Sequence, residues 1–165
     1  MIIWGIDIGI NGALTMFDVN GGLLEIHDMP IVETNKKKLV SAHLLTNILK
    51  EHYGKVYIEK VGARPGQGVS SMFSFGRSAG VVEGVAVALD MPISMVTPQT
   101  WQRKVGVQHG KDASRSRAME VFPAYSQKFA RKSDDGRADS ALIAYYGLTY
   151  GENVEFSDQQ KPKWV

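Results

Sequence analysis

The chain has 165 residues, of which 44% are hydrophobic and 22% are charged, as is typical of a single globular domain. It contains no cysteine, which excludes disulfides and thiolate metal sites. No run approaches the roughly 18 apolar residues of a membrane span, and no signal peptide is apparent, so we expect a cytoplasmic protein without a membrane partner.

Three strands are predicted at the start of the chain. Residues 1–8 read as a buried strand that ends in a turn at residues 9–12. Residues 13–19 and 23–28 read as two more strands, joined by the hairpin signal Asn20-Gly21-Gly22. Three consecutive antiparallel strands are the simplest interpretation.

Helices and strands alternate after a polar connection over residues 30–40. Ser41 can cap a first helix, and residues 55–61 are rich in β-forming side chains, so they predict a buried strand. The composition of residues 62–70 indicates a loop. A helical pattern follows at residues 71–89. It carries Gly76, Gly80 and Gly84, whose spacing indicates close packing against another element, with internal packing favoured slightly over a dimer interface.

The last third of the chain predicts one strand and three helices. Residues 93–96 form the strand, and Thr97-Pro98 begins a short helix that Trp101 anchors. Asp112 or Ser114 can cap the next helix, and the last helix covers roughly residues 135–149. The order predicts an α/β fold with a five-stranded mixed sheet, three antiparallel strands followed by two parallel ones, flanked by helices. We expect one domain over residues 1–150 and a polar tail over residues 151–165.

Four acidic residues stand where strands or helices would carry them inward. Asp7 and Glu59 interrupt apolar runs, and Asp135 and Asp139 begin the last helix. Positions four apart on a helix differ by only about 40°, so Asp135 and Asp139 share a face, whereas Asp134 points about 140° away from Asp139. Buried carboxylates need partners, and several that converge suit Mg²⁺ or Mn²⁺. Taken singly, Asp134 or Asp135 could instead be a helix cap, and Glu59 could pair with an arginine.

Basic residues are the second signal. The net charge is only +2, but Lys36, Lys37 and Lys38 form a compact run, and Lys104, Lys111 and Arg115 belong to a stretch rich in lysine and arginine. These cations, together with Arg77, could hold an anionic substrate beside the carboxylates, although most surface cations are simply solvated.

The ordered set of these motifs resembles a known family. The strand Ile6-Asp7-Ile8-Gly9, the strand end Ile58-Glu59, the helix studded with glycines and the segment 135–144 resemble the RuvC-type Holliday junction resolvases, in a short form similar to the phage branch. The resemblance covers residues 2–148, nearly the whole chain.

The resemblance implies a ribonuclease H-like fold and a homodimer that makes paired cuts in branched DNA such as four-way junctions. It implies two Mg²⁺ ions per active site, for which Mn²⁺ would substitute, and hydrolysis that leaves a 5′-phosphate. In a phage-encoded protein the location would be the cytoplasm of a bacterial host. The four acidic positions of the family correspond to Asp7, Glu59, Asp135 and Asp139, and its phosphate-binding cations correspond by region to Lys104 and Lys111.

The sequence departs from the family pattern at two places. The two C-terminal acids of the family are often three residues apart, whereas Asp135 and Asp139 are four apart. The bacterial enzymes have an aromatic residue shortly after the second acid that assists junction opening, whereas here no aromatic residue follows Glu59 until Phe73. Arg64 and Gln67 could contact DNA from this loop instead.

Three other functions compete with a junction nuclease. A ribonuclease H-like nuclease of the ribosomal RNA processing type would use the same chemistry on RNA. Residues 7–15 also resemble the first phosphate loop of the actin, sugar kinase and Hsp70 superfamily, which normally needs two such domains. A DNA-binding module without catalysis would place a cluster of negative charge beside DNA, which repels it.

Overall fold

The computed structural model describes residues 1–20, 22–60, 62 and 66–151. Arg64 and the predicted tail beyond residue 151 lie outside these residues. Within them no helix is long and apolar enough to cross a membrane.

A five-stranded mixed sheet forms the centre of the fold. Its strand order is β3-β2-β1-β6-β7, in which β1 pairs antiparallel with β2 and parallel with β6. The order confirms the prediction of three antiparallel strands followed by two parallel ones. The seven strands of the described chain are β1 (Ile2–Asp7), β2 (Ala13–Asp18), β3 (Leu23–Asp28), β4 (Ile31–Thr34), β5 (Lys37–Val40), β6 (Lys55–Glu59) and β7 (Ile93–Val96).

The prediction of a polar connection over residues 30–40 is wrong, because β4 and β5 form a separate antiparallel hairpin there. Its turn places Asn35 and Lys36 at φ 49° and 59°, in the left-handed region that glycine usually fills. The strands are short and mostly exposed, so they lack the apolar alternation by which a strand is recognised.

Helices cover both faces of the sheet. The first helix begins directly after Ser41, as predicted, and the Ser41 hydroxyl caps it by accepting a hydrogen bond from the Leu44 amide at 3.3 Å. Two short 3₁₀ segments, Pro123–Phe129 and Lys132–Asp134, precede the last helix. The helices are α1 (Ala42–Leu49), α2 (Val69–Ala88), α3 (Pro98–Val105), α4 (Ala113–Val121) and α5 (Asp135–Tyr150).

Strand alternation divides the core into two clusters. Trp4, Ile6 and Ile58 point to the face covered by α1 and α2. Ile3 and Tyr57 point to the opposite face, which α3, α4 and α5 cover. Successive side chains alternate between faces, so the residues that end β1 and β6 belong to the α5 face.

The glycines of α2 do not pack inside the chain. Gly76, Gly80 and Gly84 are exposed, and beyond the helix's own backbone no atom of the described chain lies within 4 Å of a Cβ built at any of them. The interpretation of these glycines as an internal contact is therefore wrong. They leave an open stripe on the outer side of the helix, which continues to Val87, a side chain that is 63% exposed.

Helix α5 lies unusually close to the sheet. A Cβ at Gly5 in β1 would lie 2.2 Å from the Ser140 carbonyl oxygen and 2.3 Å from the Ala144 nitrogen. Beside this contact the hydroxyls of Thr15 and Ser140, both fully buried, form a hydrogen bond of 2.7 Å. Only glycine permits this approach, because any side chain would separate β1 from α5.

We expect Gly5→Ala to destabilise the protein by at least about 1–3 kcal/mol, since the added methyl group meets rigid backbone and forces α5 away from β1. Thermal unfolding of Gly5→Ala measures the effect. Gly62→Ala is the matched control, because a Cβ there meets no atom of the described chain within 4 Å. Equal melting temperatures for Gly5→Ala and the native protein would contradict the close contact.

Candidate active site

Two of the predicted acids end neighbouring parallel strands. Ile6 in β1 is paired with Ile58 in β6, and the next residues are Asp7 and Glu59. Neighbouring strands lie about 4.8 Å apart. The two carboxylates therefore leave the same edge of the sheet, on the same face, and both are half-buried.

Helix α5 brings the third acid to the same edge. Asp139 precedes Ser140, the residue whose carbonyl lies against Gly5 and whose hydroxyl bonds Thr15. The N-terminal end of the helix is fixed as well, since a Cβ at Gly136 would lie 2.4 Å from the Asn11 carbonyl oxygen. With both contacts in place, Asp139 is held beside Asp7.

The electrostatics show that these carboxylates crowd each other. Burial raises the pKa of Asp7 well above its usual range, and the charges of Asp139 and Glu59 raise it further. Burial also raises the pKa of Asp139, which reaches about 6; a hydrogen bond with Ser114 opposes the rise, and the charges of Glu59 and Asp135 add to it. One buried oxygen of Asp139, Oδ1, has no hydrogen-bond partner among the described residues. Such a group is costly unless a cation compensates it.

Glu59 is oriented by a buried tryptophan. The indole Nε1 of Trp101 donates a hydrogen bond of 3.0 Å to Glu59 Oε1, and Trp101 is fully buried. Trp101 is thus the anchor of α3, as predicted. Its hydrogen bond to Glu59 also ties α3 to the site. Helix α3 begins at Pro98, just after β7, and β7 is the strand beside β6.

Asp134 and Asp135 have different surroundings. Asp134 is buried, and its carboxylate accepts hydrogen bonds from the Arg131 backbone at 2.8 Å and the Arg131 side chain at 3.1 Å. Burial alone would raise the pKa of Asp134, but these bonds, with the charge of Arg137, hold it below the ordinary value. Asp135 is exposed, and its charge contributes to the raised pKa of Asp139. The surroundings of Asp134 are those of a structural carboxylate at the start of the last helix.

Arg115 holds Asp135 in place. Its Nε donates to Asp135 Oδ1 at 2.8 Å, its Nη1 donates to the Ala130 carbonyl at 3.3 Å, and its Nη2 donates to Asp112. Only 8% of Arg115 is exposed. This placement does not support the predicted DNA contact of Arg115, whose donors are used inside the protein.

The donor set suits a hard divalent cation. Asp7, Glu59 and Asp139 offer only carboxylate oxygens, which Mg²⁺ and Mn²⁺ prefer. The unpartnered oxygen of Asp139 and the raised pKa values of Asp7 and Asp139 are the features that a bound cation would relieve. In the described part of the chain no three histidine, cysteine, aspartate or glutamate side chains are arranged as a ligand set.

The predicted cations lie at several separate places. Lys36 occupies the turn of the β4–β5 hairpin, and Lys37 and Lys38 line a groove that Arg77 of α2 also lines. Gln67 lines a smaller cavity together with Glu59, so it lies beside the acids.

The other two predicted cations belong to the side of the sheet that α3, α4 and α5 cover. Lys104 is exposed in the last turn of α3, with its Nζ 5.5 Å from the centre of the Tyr150 ring. Lys111 is exposed in the loop before α4.

Trp101, Ser114 and Arg115 contact the acids, and their roles were not recognised from the sequence. The sequence predicts Ser114 only as a helix cap, but it bonds Asp139, whereas Asp112 occupies the cap position and binds Arg115. Only their residue types could have indicated these roles. A tryptophan or an arginine in a short helix after the second acid is a candidate to donate a hydrogen bond to a carboxylate.

Comparison with known proteins identifies the fold. The structure of Thermus thermophilus RuvC in complex with a Holliday junction substrate matches 92% of this chain and 98% of that one, with a TM-score of 0.64 and 17% identity. The structure of the yeast mitochondrial Holliday junction resolvase Ydc2 matches 86% of this chain, and the match covers 75% of the Ydc2 chain, with a TM-score of 0.53 and 15% identity. The chain therefore has the RuvC-type, ribonuclease H-like fold that its sequence predicts.

A sequence relative points the same way over part of the chain. The chloroplastic Holliday junction resolvase MOC1 of Chlamydomonas reinhardtii is 29% identical over 94 residues, which is 56% of this chain. The matched segment spans only 11% of that protein's length. No family model matches the chain.

We expect Asp139→Asn to stabilise the metal-free protein at high pH. The folded state keeps the Asp139 proton up to a pKa of about 6, against 3.8 for the unfolded chain. Stability is therefore lost as pH rises between these values, by about 3 kcal/mol when the shift is converted. In EDTA at pH 8, Asp139→Asn should melt several degrees above the native protein, and the gap should shrink at pH 4.

Two controls accompany this measurement. Glu51→Gln changes an exposed carboxylate outside the site and should leave the melting temperature unchanged at both pH values. Addition of MgCl₂ should raise the melting temperature of the native protein more than that of Asp139→Asn, because a ligand stabilises only the state that binds it. A lower melting temperature for Asp139→Asn at pH 8 in EDTA would contradict the crowding of charges.

Proposed function

We propose that this chain, which has the RuvC-type fold, is a metal-dependent endonuclease that resolves four-way DNA junctions. The observation that carries the proposal is the convergence of Asp7, Glu59 and Asp139, from β1, β6 and α5, with an unpartnered buried oxygen among them. The fold of solved junction resolvases and the partial sequence match to another resolvase support the choice of substrate.

The four acids have distinct positions in the proposed mechanism. Asp7, Glu59 and Asp139 would hold two divalent cations, preferably Mg²⁺, and Asp135 would contribute from the exposed edge. The cations would activate a water and neutralise the leaving oxygen of a phosphodiester. Trp101 keeps Glu59 pointed toward the cluster, and Ser114 does the same for Asp139. Arg115 holds the Asp135 carboxylate and limits the repulsion between it and Asp139.

The arrangement favours a nuclease over the phosphotransferase alternative. The turn after β1 is tight, since a Cβ at Gly12 would lie 2.1 Å from the Asp7 carbonyl oxygen. Asn11 is packed against Gly136 at the start of α5. Asp139 also has a place in the cluster, which a phosphate loop alone would not explain.

We expect Asp7→Asn and Glu59→Gln each to lower the cleavage rate of a synthetic four-way junction by at least about a hundredfold, because each removes a metal-binding charge. Junction binding in EDTA should be equal to or tighter than that of the native protein, since the change removes repulsion toward phosphate. Gel-based cleavage and fluorescence anisotropy measure the two quantities, with Glu51→Gln as the control.

The substrates of this assay also test the alternatives. A four-way junction, a flap, a linear duplex and an RNA–DNA hybrid should be offered with and without Mg²⁺. Paired symmetric cuts in the junction are the expected result. Preferred cutting of the hybrid would favour the RNA-processing alternative, and full Mg²⁺-dependent cleavage by Asp7→Asn would contradict the assignment of the site.

We further propose that the enzyme is a homodimer that meets along the open stripe of α2. No side chain on this stripe would keep another helix at a distance. The stripe consists of Gly76, Gly80, Gly84 and Val87. Two copies related by a twofold axis would present the same stripe to each other, and glycine permits close contact between helices. Paired cuts on opposite strands need two sites in one particle, which a dimer provides.

We expect Gly80→Glu to produce a folded monomer. The new side chain has open space in one copy and raises helix propensity, but it places two like charges together at the twofold axis. Light scattering after gel filtration should give half the native mass, and the paired cuts should become uncoordinated single nicks. His43→Glu, which adds the same charge to an exposed position of α1, is the control. A dimeric Gly80→Glu would exclude this interface.

A further inference from the structure

A groove runs between the β4–β5 hairpin and the first half of α2. Its volume is about 370 Å³. Leu39, Val40, Phe75 and Val81 give it an apolar floor. Its walls carry cations and hydroxyl groups, namely Lys37, Lys38, Arg77, Ser70, Ser71 and Ser74.

The cations of this groove form no ion pairs within the described part of the chain. No acidic residue is among the described residues that line it. Lys37, Lys38 and Arg77 form no ion pair with any described residue. Lys38 lies opposite Glu33 in the hairpin, and Lys37, the preceding residue of β5, borders the groove from the other face of the strand. Cations that line a groove without an ion pair favour an anionic ligand there.

The start of α2 adds donors of the same kind. Gly68 occupies the N-cap position and provides no side-chain acceptor for the first-turn amides. Ser70 and Ser71, in that first turn, line the groove and are exposed. The positive end of a 20-residue helix and its free amides favour a phosphate group. The helix end thus acts with the three cations rather than alone.

The groove adjoins the proposed active site. Gly9 and Ile10, which follow Asp7 after Ile8, line one end of it. Ser71 and Phe75 line both this groove and the cavity that contains Glu59 and Gln67. A polymer that crosses the acids can therefore continue into the groove without leaving the surface.

We propose that this groove binds the sugar–phosphate backbone of the strand being cut, on one side of the scissile phosphate, as a short unpaired stretch. The proposal rests on the proposed function and adds a strand path to it. A volume of about 370 Å³ is close to that of a small-molecule site, so the groove has room for a nucleotide or two of one strand. The apolar floor suits sugars and base faces, and the cations and hydroxyls suit phosphates.

The test is a double-mutant cycle between the groove and single phosphates. Methylphosphonate, which lacks the phosphate charge, replaces one phosphate at a time on both sides of the scissile position of the junction. Binding is measured in EDTA for the native protein, the Lys37→Gln/Lys38→Gln variant and Lys50→Gln. Lys50 is an exposed lysine at the end of α1 and serves as the control.

The native protein should lose about threefold to tenfold in affinity at one or two positions on one side only. The double variant should be insensitive at those same positions and keep its sensitivity elsewhere. For the double variant, the slope of log Kd against the logarithm of the salt concentration should be smaller than for the native protein. The difference should correspond to about two phosphate contacts. Lys50→Gln should behave as the native protein does.

Several results would overturn the groove. The first is an equal loss of affinity with methylphosphonate at every position, and the second is an unchanged loss in the double variant. The third is that a free mononucleotide shifts the amide signals of Ser70 and Ser74 while the lysine substitutions show no coupling to junction phosphates. These results leave junction cleavage intact, so they are distinct from failure of the proposed function. Failure of that function appears as the absence of Mg²⁺-dependent junction cleavage. If the protein prefers another nucleic acid, the same scan on that substrate decides the groove, and binding to none overturns both proposals.

Discussion

The contact between helix α5 and strand β1 is the constraint on which the site depends. It exists because Gly5 has no side chain, so the backbone of Ser140 and Ala144 can lie directly on the strand. The Thr15–Ser140 hydrogen bond satisfies the polar groups that this contact buries. The consequence is chemical as well as structural: burial raises the pKa values of Asp7 and Asp139, and the contact adds the charge of Asp139 to that of Glu59 beside Asp7.

Three of the four acids are supported by a residue from another element. Glu59 receives the indole of Trp101 from α3, Asp139 bonds Ser114 from α4, and Asp135 receives the guanidinium of Arg115. Helices α3 and α4 carry none of the four acids, yet they decide the direction in which the carboxylates point. A site of this kind depends on the complete fold, because loss of one supporting contact misdirects a carboxylate without removing it.

The features that the sequence predicted are those that local patterns determine. Apolar alternation and turn residues predicted the five strands of the central sheet, and helix periodicity indicated that Asp135 and Asp139 share a face. The β4–β5 hairpin was missed because its turn contains Asn35 and Lys36 in left-handed conformations and its strands are exposed. Neither feature leaves an apolar pattern in the sequence.

Long-range contacts explain the remaining differences. Whether Gly76, Gly80 and Gly84 face a neighbour or open space depends on the rotation of α2 over the sheet, which Val82 and Ala86 determine from the opposite side. Arg115 resembles a surface cation in sequence, but the fold buries it between Asp112 and Asp135. The same spacing of charges could have produced either outcome, so local sequence could not decide between them.

Helix α2 connects the proposed activities because it is one rigid element with three different sides. Its buried side packs on the core through Val82 and Ala86, one flank lines the groove through Ser74 and Arg77, and its outer side is the open glycine stripe. At 20 residues the helix is about 30 Å long, and it begins beside the cavity that holds Glu59. If two copies meet along the stripe, the separation of their acid clusters follows from the helix itself rather than from flexible loops. Two cuts at a fixed spacing then require only that each strand follow its own groove, so coordination between the cuts would be a property of the fold.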